Sequence, residues 1–227
     1  DCKSLESVVI SESITKSNVY LGKHVFEECI NLVSAKIPRT IANIEESAFR
    51  GCSNLQSVIN EAGHYNEMSS INDFAFQDSS SLKSFVIPRR VKSIGQKAFA
   101  SCSSLESVIF SKLGLNLTGS LSSLESIGEQ AFSGCNSLSS ILIGPKVSSI
   151  GKEAFKQCSS LVEITIPKNK LNLLTQNNVL DNTNGIENIY NNKQINKLIV
   201  KIRFNSNDNM WNVVPTLPNV LLDYYFY

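Results

Sequence analysis

Phe99-Ala100-Ser101-Cys102-Ser103-Ser104-Leu105 has near copies in the same register throughout this 227-residue chain. Phe26-Glu27-Glu28-Cys29-Ile30-Asn31-Leu32 and Phe49-Arg50-Gly51-Cys52-Ser53-Asn54-Leu55 precede it. Phe132 to Leu138 and Phe155 to Leu161 follow, and Phe76 to Leu82 fits with Ser79 in place of Cys. Ala stands before the Phe in every copy but the first, which has Val25. The anchor Phe residues lie 23, 27, 23, 33 and 23 apart, so the base unit is 23 residues. Self-similarity at this period is the signature of stacked coils, each too short to bury its own apolar side chains and stable only against its neighbours.

Outward from the anchor, each Leu leads into a short alternating segment such as Ser84-Phe85-Val86-Ile87-Pro88 or Glu163-Ile164-Thr165-Ile166-Pro167. Period-two alternation predicts a strand of about four residues, with Ile164 and Ile166 inward and Glu163 and Thr165 outward. Strands of successive coils then pair in parallel. Pro is expected to end each strand because it cannot donate to the ladder. Val91-Lys92-Ser93-Ile94-Gly95 and Val147-Ser148-Ser149-Ile150-Gly151 come next. There Gly95, Gly128 and Gly151 suit a tight backbone corner. The Ala-Phe-x-x-Cys stretch closes the unit as a short turn or helical coil, and Phe26, Phe49, Phe76, Phe99, Phe132 and Phe155 form the core.

The unit Leu-x-x-Ile-x-Ile-Pro-x-x-Val-x-x-Ile-Gly-x-x-Ala-Phe-x-x-Cys resembles the BspA-like, or treponemal-type, leucine-rich repeat over residues 2 to about 167. The resemblance implies an α/β solenoid: a right-handed coil with a parallel β-sheet on the concave face and short strands, turns and helical coils on the convex side. It also implies a surface-associated protein linked to adhesion and protein binding.

Residues 1–167 read as about seven coils and 168–227 as a degenerate repeat with a C-terminal cap. Asp1-Cys2-Lys3-Ser4-Leu5 matches the middle of a unit, so the first coil is truncated and a longer array is expected. Beyond Pro167 the chain turns Asn-rich; Leu180, Ile186 and Ile189 suggest one further coil. From strand end to the next anchor the base length is 12 residues, but it is 16 from Ile10, 16 from Asn60 and 22 from Phe110. These insertions share one edge, either as a built binding face or as drift in loops that cost little entropy to lengthen.

Cysteine could form disulfides, as an even count of six in a surface protein suggests. All six share one repeat position, however, about 4.8 Å apart in a ladder. That exceeds the ~3.5–4.5 Å Cβ separation of a disulfide, so buried free thiols are expected. Without a Cys-x-x-Cys pair no metal site is expected, and no cofactor motif or catalytic constellation occurs. His24 is expected to be exposed, and His64 falls in an insertion. A net charge of +1, from 21 Lys and Arg against 20 Asp and Glu, argues against a nucleic-acid partner, and no apolar run could insert in a membrane.

Two surface stripes remain as binding candidates. Val9, Lys36, Ile59, Val86, Ile109, Leu142 and Thr165 share an outward strand column. They form either a recognition face or β-branched residues covering one another down the ladder. Arg39, Arg89, Arg90, Lys146 and Lys168 follow the prolines and could meet an anionic partner or keep the edge soluble. Seven four-residue strands offer on the order of 400 Å², against about 800 Å² per partner in a standard interface, so edge loops or multivalency must contribute. Asn116-Leu117-Thr118 is a glycosylation sequon. The expected role is a non-catalytic binding module of a cell-surface or secreted adhesin, taking a protein or glycan ligand such as host extracellular matrix. The alternative is a cytoplasmic interaction scaffold.

Overall fold

The computed structural model describes residues 2–11, 19–60, 66–110, 123–180, 198–204 and 220–226, the last two segments as backbone. From β1 to β12 each coil gives one strand to a first sheet and one, never longer, to a second. In chain order these are β1 (Ser7–Val9), β2 (Val19–Leu21), β3 (Ser34–Ile37), β4 (Ile41–Ile44), β5 (Ser57–Asn60), β6 (Ser70–Ile71) and β7 (Ser84–Ile87). There follow β8 (Ser93–Ile94), β9 (Ser107–Phe110), β10 (Ser126–Ile127), β11 (Ser140–Leu142), β12 (Ser149–Ile150) and β13 (Glu163–Pro167). After a 3-10 turn at Lys168–Lys170 and the one-turn helix α1 (Asn172–Thr175) come β14 (Leu198–Phe204) and β15 (Val220–Phe226). The odd strands through β13, then β14 and β15, stack as one nine-stranded sheet; the even strands from β2 to β12 form a second of six. The pairings are parallel, with serines in register from Ser7 on Ser34 and Ser34 on Ser57 to Ser84 on Ser107. This is the expected parallel solenoid, with little helix.

The alternation expected for the first sheet holds: Ile164 and Ile166 are buried while Glu163 and Thr165 are half-buried. Pro ends β3 and β7, but β13 runs through Pro167, which sits opposite Arg203 of β14. Proline lacks a donor but keeps its carbonyl, so it can stand at the last position of a parallel ladder. The Ala-Phe-x-x-Cys stretch is turn rather than helix. It forms a third laddered face: Phe49 N donates to Ala75 O at 2.8 Å, Phe76 N to Ala98 O at 2.7 Å and Phe99 N to Ala131 O at 2.8 Å. Bonding along the axis from a turn takes two left-handed residues per coil. They lie two positions before and two after the anchor, as at Lys97 (φ 51°) and Ser101 (φ 60°).

That geometry changes the role of the glycines. Gly95, Gly128 and Gly151 are not the left-handed corner; the structure places them where coils approach most closely. A Cβ on Gly95 would lie 2.5 Å from Asp73 N, and one on Gly128 would lie 2.5 Å from Gly95 C.

The core is an aromatic stack. Phe49, Phe76, Phe99 and Phe132 are fully buried, with successive ring centroids 5.1, 5.1 and 5.3 Å apart and planes within 10° of parallel. Phe155 continues the stack at 5.5 Å. Phe26, at the other end, is only half-buried against Phe49. Phe85 enters from the first sheet, tilted against Phe76 and Phe99. Leu180 takes the next place: Phe155 N donates to Val179 O, and both Val179 and Leu180 are buried.

The cysteine column departs from expectation at one end, where Cys2 and Cys29 form a disulfide. The column lies in turns, not strands, so no pleat holds these side chains parallel. Their Cα atoms are 5.1 Å apart, inside the ~4.4–6.8 Å a disulfide spans. Cys52, Cys102, Cys135 and Cys158 are buried free thiols. Each donates to the anchor carbonyl of the coil before it: Cys102 Sγ to Phe76 O, Cys135 Sγ to Phe99 O and Cys158 Sγ to Phe132 O, all at 3.1 Å. Ser79, the natural exception, makes the same bond to Phe49 O at 2.9 Å. Burial pushes the Cys52 and Cys158 thiols up to about 12, which suppresses the reactive thiolate.

The column therefore selects a small donor. Cys102→Ser is expected to change stability by less than about 0.5 kcal/mol, and Cys102→Ala to cost about 1–2 kcal/mol through the lost bond and a small cavity. Urea denaturation of the two variants decides it; equal losses would rule out the hydrogen bond as the reason for the column.

Candidate binding surfaces

The outer face of the first sheet carries the outward column. Its exposure is uneven: Val9, Ile59 and Ile109 are 70%, 57% and 50% exposed, and Lys36 is exposed. Val86, Leu142 and Thr165 are half-buried. The three exposed aliphatics lie on β1, β5 and β9, alternate strands of the sheet. These are the strands that lead into the insertions. Ile10, Asn60 and Phe110 stand 50 residues apart, so the structural repeat is a pair of coils, one with and one without an inserted loop. The insertions themselves fall in 12–18, 61–65 and 111–122, which lie outside the described residues, as do His64, Asn116, Ile186 and Ile189.

Leaving the sheet at an insertion loosens the ladder. β5 pairs with β3 over four residues, Ser57 to Asn60, but with β7 only at Ser57 on Ser84. β9 behaves alike: four residues against β7 and only Ser107 on Ser140 against β11. At the first opening the Asn60 side chain substitutes for the backbone, its Nδ2 donating to Val86 O at 2.6 Å.

The turns after the first-sheet strands hold the basic column. Arg39, Arg90 and Lys146 are exposed and Arg89 is half-buried. Lys168 begins the 3-10 turn. The opposite turns, beside the anchors, are charged too, and several of these charges are paired. Lys23 Nζ meets Glu46 at 2.9 Å, and that hydrogen bond and charge hold the Glu46 carboxyl below its ordinary range. Arg50 and His24 both reach Glu27, at 3.3 and 2.8 Å. Lys152 and Lys156 flank Glu153, whose carboxyl is lowered first by a hydrogen bond from Gln130. His24 is exposed as expected, although Ser47 in the same column is buried.

A further feature runs along the second sheet. A trough of about 630 Å³ crosses several coils over Ser93, Ser126 and Ser149, with Gly95, Gly128 and Gly151 along it. The sequence contains its signal, Ser-Ile-Gly recurring in register along the trough. Its acidic groups are engaged: Asp73 accepts from Gln96 N at 2.7 Å and Glu45 from Asn72 Nδ2 at 2.8 Å. Among the described residues no group of His, Cys, Asp and Glu could hold a metal ion, and no helix is long and apolar enough to cross a membrane.

Comparison with solved structures finds this architecture in other leucine-rich-repeat proteins. A Treponema pallidum leucine-rich-repeat protein is similar at 24% identity and TM-score 0.52, over 70% of this chain and 69% of its own. A Bacteroides ovatus leucine-rich-repeat protein is similar at 21% identity and TM-score 0.56. The pneumococcal vaccine antigen PcpA is similar at 23% identity and TM-score 0.58, over 71% of this chain. This chain spans 53% of the Bacteroides protein's length and 40% of the pneumococcal antigen's. At these identities the likeness concerns the fold alone. No curated protein sequence is significantly similar to this chain. The BspA type leucine rich repeat region, however, matches in six copies over residues 1–119 and 69–211. With its coils, anchors and parallel sheets, the chain belongs to the BspA-type leucine-rich-repeat family.

Proposed function

We propose that this chain is a non-catalytic binding module of a cell-surface adhesin, which grips a protein partner through the outer face of the first sheet and the edge bearing the insertions. Leucine-rich-repeat proteins are generally protein-interaction modules, which sets the class of the activity. The observation that carries the reading is the coincidence of exposed aliphatics with insertions. Val9, Ile59 and Ile109 stand on the strands that lead into inserted segments. Exposed aliphatics recurring on alternate strands of one sheet face, each beside an insertion, offer a candidate recognition surface. The Cys2–Cys29 disulfide fits an oxidising compartment and so favours the surface over the cytoplasm.

The test is capture on immobilised extracellular-matrix extract, compared with lysate of the source cell. Ile59→Asp with Ile109→Asp is expected to weaken matrix capture by at least about tenfold, or 1.4 kcal/mol. Both positions are exposed, so folding should be unaffected. Equal capture by the double variant would remove the sheet face from the site. Capture from lysate alone would replace the adhesin with an internal scaffold.

A further inference from the structure

We propose that the Cys2–Cys29 crosslink is exchangeable within the folded chain: Cys52 displaces Cys2 from Cys29, and the disulfide moves one coil along the column. Cys2, Cys29 and Cys52 hold the same repeat position in three successive coils, ahead of β1, β3 and β5. Cys2 and Cys29 are bonded. Cys52 Sγ lies 3.0 Å from Phe26 O, and Cys29 N donates to that same carbonyl at 3.2 Å. The Cys52 sulfur therefore sits against the turn that carries Cys29. Beside the pair, Glu28 N donates to Arg50 O at 2.7 Å and pins the two turns together.

Displacement at sulfur runs in line, with the entering, attacked and leaving sulfurs on one axis. A column stacked along the solenoid supplies that order, with Cys52 on one side of Cys29 and Cys2 on the other. Holding the three in register also makes the step intramolecular. Deprotonated Cys52 attacks Cys29 Sγ. The Cys52–Cys29 bond forms as the Cys29–Cys2 bond breaks, and the electron pair leaves on Cys2, which takes a proton from water. One thiol and one disulfide stand on each side of the step, so no oxidant or reductant is consumed. Cys29 and Cys52 are fully buried, whereas Cys2 is half-buried. The exchange thus delivers a thiol to the more accessible position. It also leaves β1 without its covalent tie to the next coil, held by its three-residue ladder on β3. Ser79 takes the next place in the column and has no sulfur, so the crosslink cannot pass on to Cys102.

Burial sets the pace. The Cys52 thiol is pushed up to about 12, so its thiolate is scarce near neutrality and grows about tenfold with each pH unit. A thiolate of high pKa is the stronger nucleophile, which partly offsets the scarcity.

Iodoacetamide is the probe, because it captures Cys2 as it is released. The native chain is incubated with it from about pH 7 to about pH 10 and mapped by mass spectrometry. Label on Cys2 together with a Cys29–Cys52 crosslink is the expected product. Its rate should rise about tenfold per pH unit and be independent of protein concentration. Cys52→Ser, which keeps the bond to the anchor carbonyl as Ser79 does, should slow the labelling of Cys2 by at least about tenfold. Equal labelling in Cys52→Ser overturns the proposal, as does a rate that grows with protein concentration. A crosslink that stays on Cys2 and Cys29 while the urea-unfolded chain exchanges overturns it too, and so does label on Cys52 beside an intact Cys2–Cys29 bond. The readout is a covalent bond, so it stands apart from whatever the sheet face binds.

Discussion

Phe99→Ala is expected to cost about 3–5 kcal/mol, because a fully buried phenyl ring is removed from a site that cannot collapse. Phe99 lies between Phe76 at 5.1 Å and Phe132 at 5.3 Å and touches Phe85 at 5.3 Å. The backbone around it is pinned on both sides by inter-coil bonds, Phe76 N to Ala98 O and Phe99 N to Ala131 O. Neighbouring coils cannot close on the cavity without breaking them. In a solenoid each coil holds only its neighbours, so the loss also uncouples the coils before Phe99 from those after it. The urea transition should therefore move to lower denaturant and broaden. Phe26→Ala is the control: at the half-buried end of the stack it should cost about 1–2 kcal/mol. Equal costs at the two positions would refute a stack whose stability is shared between neighbours.

The second large effect is expected from a single methyl group. Gly128→Ala should destabilise by about 2–3 kcal/mol or more, the range of overpacking where the obstruction cannot move aside. The added Cβ would meet Gly95 C at 2.5 Å and Gln96 N at 2.6 Å. Both are backbone atoms with no rotamer to escape into. Relief requires separating two coils, which stretches the 2.8 Å bond from Gly128 N to Ile94 O. Gly22, in the same repeat column, has nothing within 4 Å of a Cβ. Gly22→Ala should be neutral, or stabilising by up to about 1 kcal/mol through a less flexible unfolded chain. Thermal melts of the pair read the contrast directly. If Gly128→Ala melts with the parent protein, the close approach of the coils is not what selects glycine there.

Ile59 and Ile109 are exposed and lie beside insertions, so their replacement by Asp tests recognition with little risk to the fold. Arg89, Arg90 and Lys146 lie in the turns that follow strands of the same sheet, Arg90 and Lys146 exposed and Arg89 half-buried.

The repeat was legible because it is written in local pattern. An anchor Phe, an Ala before it, a Cys or Ser three residues after and an alternating strand identify a coil, and their recurrence identifies a stack. The alternation also assigned the inward Ile164 and Ile166 and the outward Glu163 and Thr165 correctly, since a strand's two faces follow from its period. The exposed stripe was legible only as a column. Its division into exposed Val9, Ile59 and Ile109 against half-buried Val86 and Leu142 depends on how adjacent coils shield one another.

By itself, then, the sequence determined the coil length, the core column from Phe49 to Phe155 and the parallel stacking. These follow from periodicity and from the need of short coils to share a core. Tertiary structure decided what depends on distances between coils. It moved the left-handed corners to positions such as Lys97 and Ser101 and left Gly95, Gly128 and Gly151 to admit a neighbouring backbone. It joined Cys2 to Cys29 where a turn lets two side chains converge, and aimed the remaining thiols at anchor carbonyls. It also paired Lys23, Arg50, Lys152 and Lys156 with carboxylates of neighbouring coils or of their own turn. A column in a sequence says which residues are stacked; only the separation and tilt of the stacked coils say which of them touch.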